Sequence, residues 1–163
     1  MRIRAGVAAG HPSTAQAGAD ILSQGGSAVD AAVSMMLVSC AAETIFTGLG
    51  GGGFATVFDA ATGQVRCLDF FVSVPGLGGK RPSHAKSIEV IFIGQHVPYE
   101  IGPATVAVPG IPAGAHYLWQ RWGRLSWGAV TTAGREASYG TPFPAMSVPS
   151  GRFTTPVTSV VRK

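Results

Sequence analysis

Charged residues are scarce in this sequence. They form 12% of its 163 residues, while hydrophobic residues form 46%; a typical soluble domain has about 25% charged residues. With so few charges, much of the surface of an isolated domain would lack solvating groups. The deficit predicts that part of this chain is buried against polypeptide that the chain does not itself supply.

Long apolar runs are also missing. The longest uncharged helical stretch, Ala31 to Ala42, falls well short of the roughly 20 apolar residues that cross a bilayer. No membrane-spanning helix is therefore predicted. The N-terminal segment has two arginines and a short Ala/Gly stretch, but the polar "HPST" at 11–14 interrupts it. We expect no signal peptide, and the sequence leaves the compartment open.

The basic residues are scattered along the chain. Their excess gives a net charge of +4, yet no basic run exceeds a pair such as Lys80-Arg81. A nucleic-acid-binding surface needs basic residues gathered on one face or along one helix. Nucleic acid is therefore not an expected partner.

Cysteine and histidine do not form a recognisable site. Cys40 and Cys67 are too few for a disulfide framework and lack C-x-x-C spacing, so both are predicted to be buried thiols that pack as small hydrophobes. The four histidines lack the spacing of metal ligands: His11, His84, His96 and His116. We expect no metal and no other cofactor.

The first helix is predicted from its ends. Ser13 or Thr14 can cap a helix that continues to about Gln24, with Ala17 and Ile21 on one face. The Gly25-Gly26 pair then supplies the left-handed conformation that ends many helices.

A second helix follows directly. Ser27 can cap it, and Asp30 lies three residues on, where a carboxylate reaches back to the open amides of the first turn. Apolar residues recur at helical spacing through Cys40. The remaining face is mostly Ala and Ser, which predicts burial on more than one side.

The middle of the chain is predicted to be rich in strands. "FATVFD" at 54–59 is typical of a strand buried on both faces, and "VRCLDFFV" at 65–72 is typical of the returning strand of a hairpin. A Gly/Pro/Ser-rich loop covers 75–84. "IEVIFIG" at 88–94 is another strand candidate, and 95–110 is predicted to be extended.

Two helices follow the strands, so a mixed α/β fold is predicted. Pro112 can begin a helix to about Trp122 with Gly123 as its stop. Ser126 can cap another helix from Trp127 to Tyr139, with Gly140 as its stop. Residues 141–163 have frequent prolines and no period, and are left as an irregular tail.

The glycine run at 48–53 raises the question of a nucleotide loop. Gly48, Gly50 and Gly53 satisfy G-x-G-x-x-G. A dinucleotide-binding loop, however, follows a strand and precedes a helix, whose N-terminus holds the pyrophosphate. Here the predicted order is helix, glycines, strand. We therefore expect the glycines to allow close backbone approach where the chain joins a sheet.

Two Thr-Thr pairs raise the alternative of an N-terminal threonine nucleophile released by self-cleavage. Thr131-Thr132 lies inside a predicted helix, a poor place for a scissile bond. Thr154-Thr155 would leave a product too short to form an oxyanion hole or a substrate pocket. No catalytic residue is therefore assigned.

The ordered motifs resemble the γ-glutamyltransferase (γ-glutamyltranspeptidase) family. Three stretches are similar to its large subunit in the same order: "GVAAGHPSTAQAGADILSQGGSAVDAAVSMMLV", "TGLGGGGFATVFDAATGQVRCLDF" and "YEIGPATVAVPGIPAGAHYLWQRWGRLSW". Together they span roughly residues 5 to 140. Residues 1–140 thus resemble the N-terminal part of a large subunit, and 141–163 would be a truncated or frameshifted tail.

The resemblance implies a fragment of an Ntn-hydrolase αββα sandwich. Enzymes of this family move γ-glutamyl groups from glutathione and similar donors to water or amines. Their precursor cleaves itself, and the catalytic threonine begins the small subunit. The resemblance therefore implies that this chain is inactive alone and needs the remainder of the precursor as its partner, both to fold and to act.

One residue departs from the family pattern. The second strand of the hairpin normally ends in an Asp-Phe-Arg-Glu type sequence, whose arginine holds the α-carboxylate of the substrate. This chain has Asp69-Phe70-Phe71-Val72, so Phe71 stands at the arginine position. A phenyl ring cannot form the paired hydrogen bonds of a guanidinium. A different acyl group, a substituting residue, or a decaying gene product would each explain the change, and Asp69 is expected to order the strand end.

Two functional hypotheses result. In the first, the chain is the N-terminal part of a γ-glutamyltransferase-like hydrolase. In the second, it is a non-catalytic assembly module that pairs with a separately encoded small subunit.

Overall fold

The computed structural model describes residues 5–76, 78–79 and 84–140. It has four helices and two strand pairs within these residues: α1 (Pro12–Ser23), α2 (Ala28–Ala42), β1 (Phe54–Asp59), β2 (Gln64–Asp69), β3 (Lys86–Phe92), β4 (Gln95–Ile101), α3 (Ile111–Trp122) and α4 (Trp127–Ala137), with a short 3-10 turn at Pro103–Thr105 before α3. The prediction of a mixed α/β fold is confirmed. The predicted tail, 141–163, lies outside the described residues.

Helix α1 begins earlier than predicted. Its N-cap is His11, whose Nδ1 accepts a hydrogen bond from the amide of Ser13 at 3.1 Å. Pro12 follows at the first helical position, where its fixed φ fits and its missing N–H costs nothing. The predicted stop is confirmed: Gly25 has φ +84°, and the amides of Gly25 and Gly26 return to the last turn of the helix.

The predicted cap of α2 is confirmed. The Ser27 side chain accepts from the amide of Asp30 at 3.0 Å, and the Asp30 carboxylate accepts from the amide of Ser27 at 2.8 Å. Both partners lie within four residues of each other, so this capping box is fixed by local sequence.

Asp30 also joins α2 to the loop between α3 and α4. Its Oδ2 accepts from the amides of Arg124 at 2.8 Å and Leu125 at 3.2 Å, and its side chain is fully buried. Gly123 ends α3 beside it with φ −71°, so this glycine is not needed for a left-handed turn. A Cβ there would lie 2.7 Å from Asp30 Oδ1. Gly123 therefore permits the close approach of the loop to the carboxylate.

Two groups of buried side chains hold the helices together. One joins α2, α3 and α4, and the other joins α1 to α2: Val29, Val33, Ala115, Leu118 and Val130 in the first, and Ala17, Val38 and Ala42 in the second. Each fully buried aliphatic side chain of the size of Val or Leu contributes roughly 1.5–3 kcal/mol. The described helices therefore have a core of their own, with α2 at its centre.

Strands β1 and β2 form an antiparallel pair against this helical layer. The register places Phe54 opposite Asp69 and Phe58 opposite Val65. Ala55 and Val57 point to the helices and are half-buried, whereas Phe54 and Phe58 are 63% and 65% exposed. The predicted burial on both faces is wrong for the described residues, because the helices cover only one side.

Strands β3 and β4 form a second antiparallel hairpin. Lys86 lies opposite Ile101, and the turn at Ile93 and Gly94 has positive φ at both residues. The sequence predicted the first strand within two residues but described 95–110 only as extended. The pairing was missed because Ile93 is an unusual residue at a turn position that favours Asn, Asp or Gly.

Helices α3 and α4 lie close to their predicted bounds. Helix α3 begins one residue before Pro112 and ends at Trp122, while α4 ends at Ala137, two residues before the predicted Tyr139. Ser126 caps α4 by accepting from the amide of Ala129. Among the described residues, no helix has the length and apolar character that crossing a membrane requires.

Candidate functional site

Three chain segments meet at the end of β2. The first is the glycine run that precedes β1, the second follows β2, and the third precedes α3. Gly53 exchanges two backbone hydrogen bonds with Phe70, and Ser73 exchanges two with Val108. The backbone after β2 is thus held on both sides.

The glycines serve this close packing. A Cβ on Gly52 would lie 2.5 Å from the amide nitrogen of Val72 and 2.7 Å from the Cα of Phe71, distances that real side chains do not adopt. A Cβ on Gly110 would overlap the Phe70 carbonyl. The expectation that the run allows close backbone approach is confirmed.

The same contacts oppose a phosphate-binding function. Helix α2 precedes the glycines and strand β1 follows them, the reverse of the order in a dinucleotide fold. The helix N-terminus nearby belongs to α3, where the amides of Gly110 and Ile111 donate to the carbonyl of Gly51 at 2.9 and 3.1 Å. These amides are therefore already occupied by the backbone.

Phe71 lies on the outer side of this junction. Its ring is 56% exposed and stacks on Phe54, with centroids 5.6 Å apart and planes 10° apart. The Asp69 carboxylate accepts from the amide of Phe71 at 2.9 Å, which confirms that Asp69 orders the strand end. Phe54 was not predicted as the partner of Phe71, although the hairpin register alone would bring the two rings to the same face.

An apolar surface extends from this stack along β1 and β2. We call it the outer face, defined by four exposed side chains: Phe54, Phe58, Val65 and Phe71. Exposed apolar patches of this kind mark interaction surfaces. The outer face lies on the opposite side of the β1–β2 pair from the helices.

The threonines of α4 are not arranged for catalysis. The Thr131 hydroxyl donates to the carbonyl of Trp127 at 2.9 Å, and the Thr132 hydroxyl donates to that of Gly128 at 2.7 Å. Both therefore make ordinary bonds within the helix, in agreement with their predicted helical position. Thr154-Thr155 lies outside the described residues.

The histidines have separate local partners. His11 caps α1, while His96 pairs with Glu89 at 3.1 Å on the exposed hairpin. His116 packs against the rings of Trp119 and Trp127. In the described part of the chain, no three His, Cys, Asp or Glu side chains are grouped as a metal would require.

The two cysteines differ in exposure. Cys40 is half-buried, and burial raises the pKa of its thiol. Cys67 is exposed, so the prediction of two buried thiols is wrong for Cys67. It lies two residues after Val65 on β2 and therefore shares the face that the helices leave uncovered.

Comparison with known proteins assigns this architecture. The family model described as γ-glutamyltranspeptidase matches residues 14–143. The glutathione hydrolase proenzyme of Bacillus subtilis (strain 168) is 32% identical over 126 residues, which cover 74% of this chain and 20% of that protein. Glutathione hydrolase 5 proenzyme of Homo sapiens is 32% identical over 123 residues, covering 76% and 20%. The chain thus spans about a fifth of the length of these relatives.

Solved structures agree in fold. The γ-glutamyltranspeptidase of Helicobacter pylori matches with a TM-score of 0.64 and 26% identity, over 82% of this chain and 37% of that chain. The transpeptidase CapD of Bacillus anthracis matches with a TM-score of 0.60 and 25% identity, over 82% and 38%. The chain belongs to the γ-glutamyltranspeptidase family.

Proposed function

We propose that residues 1–140 form the N-terminal part of the large subunit of a γ-glutamyltransferase, within an Ntn-hydrolase αββα sandwich. Helices α1–α4 would be one outer layer, and β1 and β2 would belong to the sheet beneath it. The half-covered sheet is the observation that most supports this assignment, because Phe54 and Phe58 are 63% and 65% exposed on the side away from the helices. In a sandwich, that side faces a second sheet.

The complete enzyme would move γ-glutamyl groups from glutathione-like donors to water or amines. Relatives over this segment include glutathione hydrolases and transpeptidases. The described residues themselves offer no activated nucleophile, since the hydroxyls of Thr131 and Thr132 are bonded within α4. A nucleophile and oxyanion donors supply much of the rate of acyl transfer. The 163-residue chain is therefore inactive alone.

The first experiment measures this inactivity. The purified chain is incubated with a γ-glutamyl anilide, and aniline release is followed beside the B. subtilis enzyme as a positive control. Release should equal the blank. Release above the blank that disappears in a Thr131→Ala/Thr132→Ala variant would refute the assignment of these threonines as structural, and with it the inactivity of the chain.

We further propose that Phe71 occupies the place of the arginine that holds the substrate α-carboxylate in the family. Its backbone is fixed by Asp69 and by the close approach of Gly52, so the side chain position is set by the fold. The stacked rings of Phe54 and Phe71 offer no donor to a carboxylate. The complete enzyme is then a weak γ-glutamyl transferase or accepts an acyl group without that carboxylate.

A chimera tests the role of Phe71. The matched 126 residues of the B. subtilis proenzyme are replaced by this chain's, and kcat/KM for the anilide is compared among Phe71, Phe71→Arg and Phe71→Lys. Loss of one partner of a hydrogen-bonded charge pair costs about 2–5 kcal/mol, so Phe71→Arg should raise kcat/KM roughly 30-fold or more. Lys should recover less, because it lacks the paired donors. Equal activity of all three in self-cleaved chimeras would show that Phe71 does not stand at the carboxylate site.

The second candidate is an assembly module without catalysis, which pairs with a separately encoded small subunit. The exposed outer face favours association of some kind. Co-expression with a small subunit, followed by size measurement and the anilide assay, separates the two. An assembled but inactive complex supports the module, and an active one supports the enzyme.

A further inference from the structure

The outer edge of β2 is open in the described part of the structure. Gly53 and Phe70 exchange both of their backbone hydrogen bonds, and such pairs alternate along an antiparallel ladder. The register then directs the N–H and C=O groups of Arg66 and Leu68 toward β1. Those of Val65 and Cys67 point away from β1, toward an edge with no partner strand among the described residues.

A groove runs beside this edge. It has a volume of about 260 Å³ and lies between β2 and α3, lined by Arg66, Cys67, Leu68, Tyr117, Arg121 and Trp122. An added strand would lie about 4.8 Å from β2. The groove therefore lies where the side chains of such a strand would point.

Two guanidinium groups are held at the groove. Arg66 Nη2 donates to Gln64 Oε1 at 2.8 Å, and the Arg121 guanidinium lies 5.4 Å from the centre of the Trp122 ring. Among the described residues that line the groove, none is acidic. A neighbouring carboxylate, that of Asp59, accepts from Trp122 Nε1 at 3.3 Å. The lining of the groove therefore carries a net positive charge.

We propose that the open edge of β2 binds an extended acidic segment of another polypeptide as an added strand. Backbone groups of Val65 and Cys67 would pair with the segment, as in strand addition elsewhere. Carboxylates at alternate positions would meet Arg66 and Arg121, since alternate side chains of a strand share a face. This interaction does not depend on the proposed enzyme function.

The test uses the full chain and a fluorescein-labelled octapeptide with alternating Glu and Thr. Anisotropy measures binding, and hydrogen exchange measures protection of the Val65 and Cys67 amides. The Glu peptide should bind, and both amides should become protected. A peptide with Gln in place of every Glu should bind at least several-fold more weakly.

Two variants separate charge from backbone pairing. An exposed ion pair contributes about 0.2–1 kcal/mol, so Arg66→Gln or Arg121→Gln should weaken binding up to about fivefold. Val65→Pro should abolish binding, because proline removes an outward N–H yet is tolerated on an edge strand. Arg135→Gln, on the exposed side of α4, is the matched charge control and should change nothing. Circular dichroism confirms that each variant is folded.

Four outcomes would overturn the proposal. The Glu peptide does not bind at millimolar concentration, or binds folded Val65→Pro as tightly as the original chain. Inorganic phosphate at equal charge displaces it completely, which indicates a small-anion site. Val65→Pro changes only self-association of the chain, which indicates that a second copy occupies the edge.

Discussion

Asp30 is predicted to be the most sensitive single position of the helical layer. Its carboxylate is fully buried and accepts from the amides of Ser27, Arg124 and Leu125 at 2.8, 2.8 and 3.2 Å. Asp30→Ala leaves all three amides without this acceptor. A hydrogen bond to a charged group contributes about 1.5–3 kcal/mol, but losses within one network do not add fully. We expect a loss of about 3–5 kcal/mol, the range for breaking a buried charged network.

Related variants give a predicted order. Asp30→Asn keeps an acceptor oxygen but not the charge, and should cost about 1–2 kcal/mol, the difference between charged and neutral hydrogen bonds. Ser27→Ala removes one capping bond and should cost about 1 kcal/mol. Asp20→Ala is the matched control: Asp20 is exposed on α1 and accepts from Gln16 at 2.7 Å. It should cost less than about 0.5 kcal/mol, as exposed helix pairs do.

Urea unfolding of the full chain measures this order. Far-UV circular dichroism reports the helices, and tryptophan fluorescence reports the region around Trp119 and Trp122. With a slope of about 2 kcal/mol per molar urea, Asp30→Ala should lower the midpoint by roughly 1.5–2.5 M. If Asp30→Ala and Asp20→Ala lower it equally, Asp30 does not link α2 to the α3–α4 loop.

Three further predictions concern the sheet. Cys67 should react with a disulfide reagent in the folded chain, whereas Cys40 should react only on unfolding, because burial covers it and raises its pKa. The pKa of Asp59 is lowered first by the indole hydrogen bond, so its stabilisation is complete above the ordinary value of 3.8 and is lost as pH falls through the lower folded value; the difference in urea midpoint between the original chain and Asp59→Asn should shrink below that pH, and a constant difference would contradict this. Gly52→Ala should destabilise by about 1–3 kcal/mol through overpacking, whereas Gly50→Ala, whose Cβ would meet no atom within 4 Å, should lower the urea midpoint far less.

Features determined by neighbouring residues could be predicted from the sequence. The Ser27–Asp30 capping box, the left-handed Gly25 and the Ser126 cap each involve atoms at most a few residues apart. Local geometry decides such contacts before the chain packs. The exception is His11, because an imidazole nitrogen is a less common cap than the hydroxyls of Ser13 or Thr14.

Features that join distant segments were missed. The bonds from Arg124 and Leu125 to Asp30 cross more than 90 residues, and nothing in the local sequence marks them. The β3–β4 register likewise depends on pairing that only the folded hairpin shows. A search for a polar acceptor opposite Gly123 would have required the packing of α3 on α2.

The candidate site was located by resemblance rather than by periodicity. The position of Phe71 follows from the family motif, while its stacking on Phe54 follows from the β1–β2 register. The alternation of Phe54 and Phe58 correctly indicated a strand. It could not show that the covering layer on their side is absent from the described chain.

Complementation tests the central claim most directly. A B. subtilis glutathione hydrolase proenzyme without the 126 matched residues is co-expressed with this chain carrying Phe71→Arg, and γ-glutamyl anilide cleavage is measured for each alone and for both. We predict that neither polypeptide is active alone and that a co-purifying pair restores cleavage. Cleavage by this chain alone, or a folded chain that neither binds the truncated proenzyme nor restores its activity, would contradict the account.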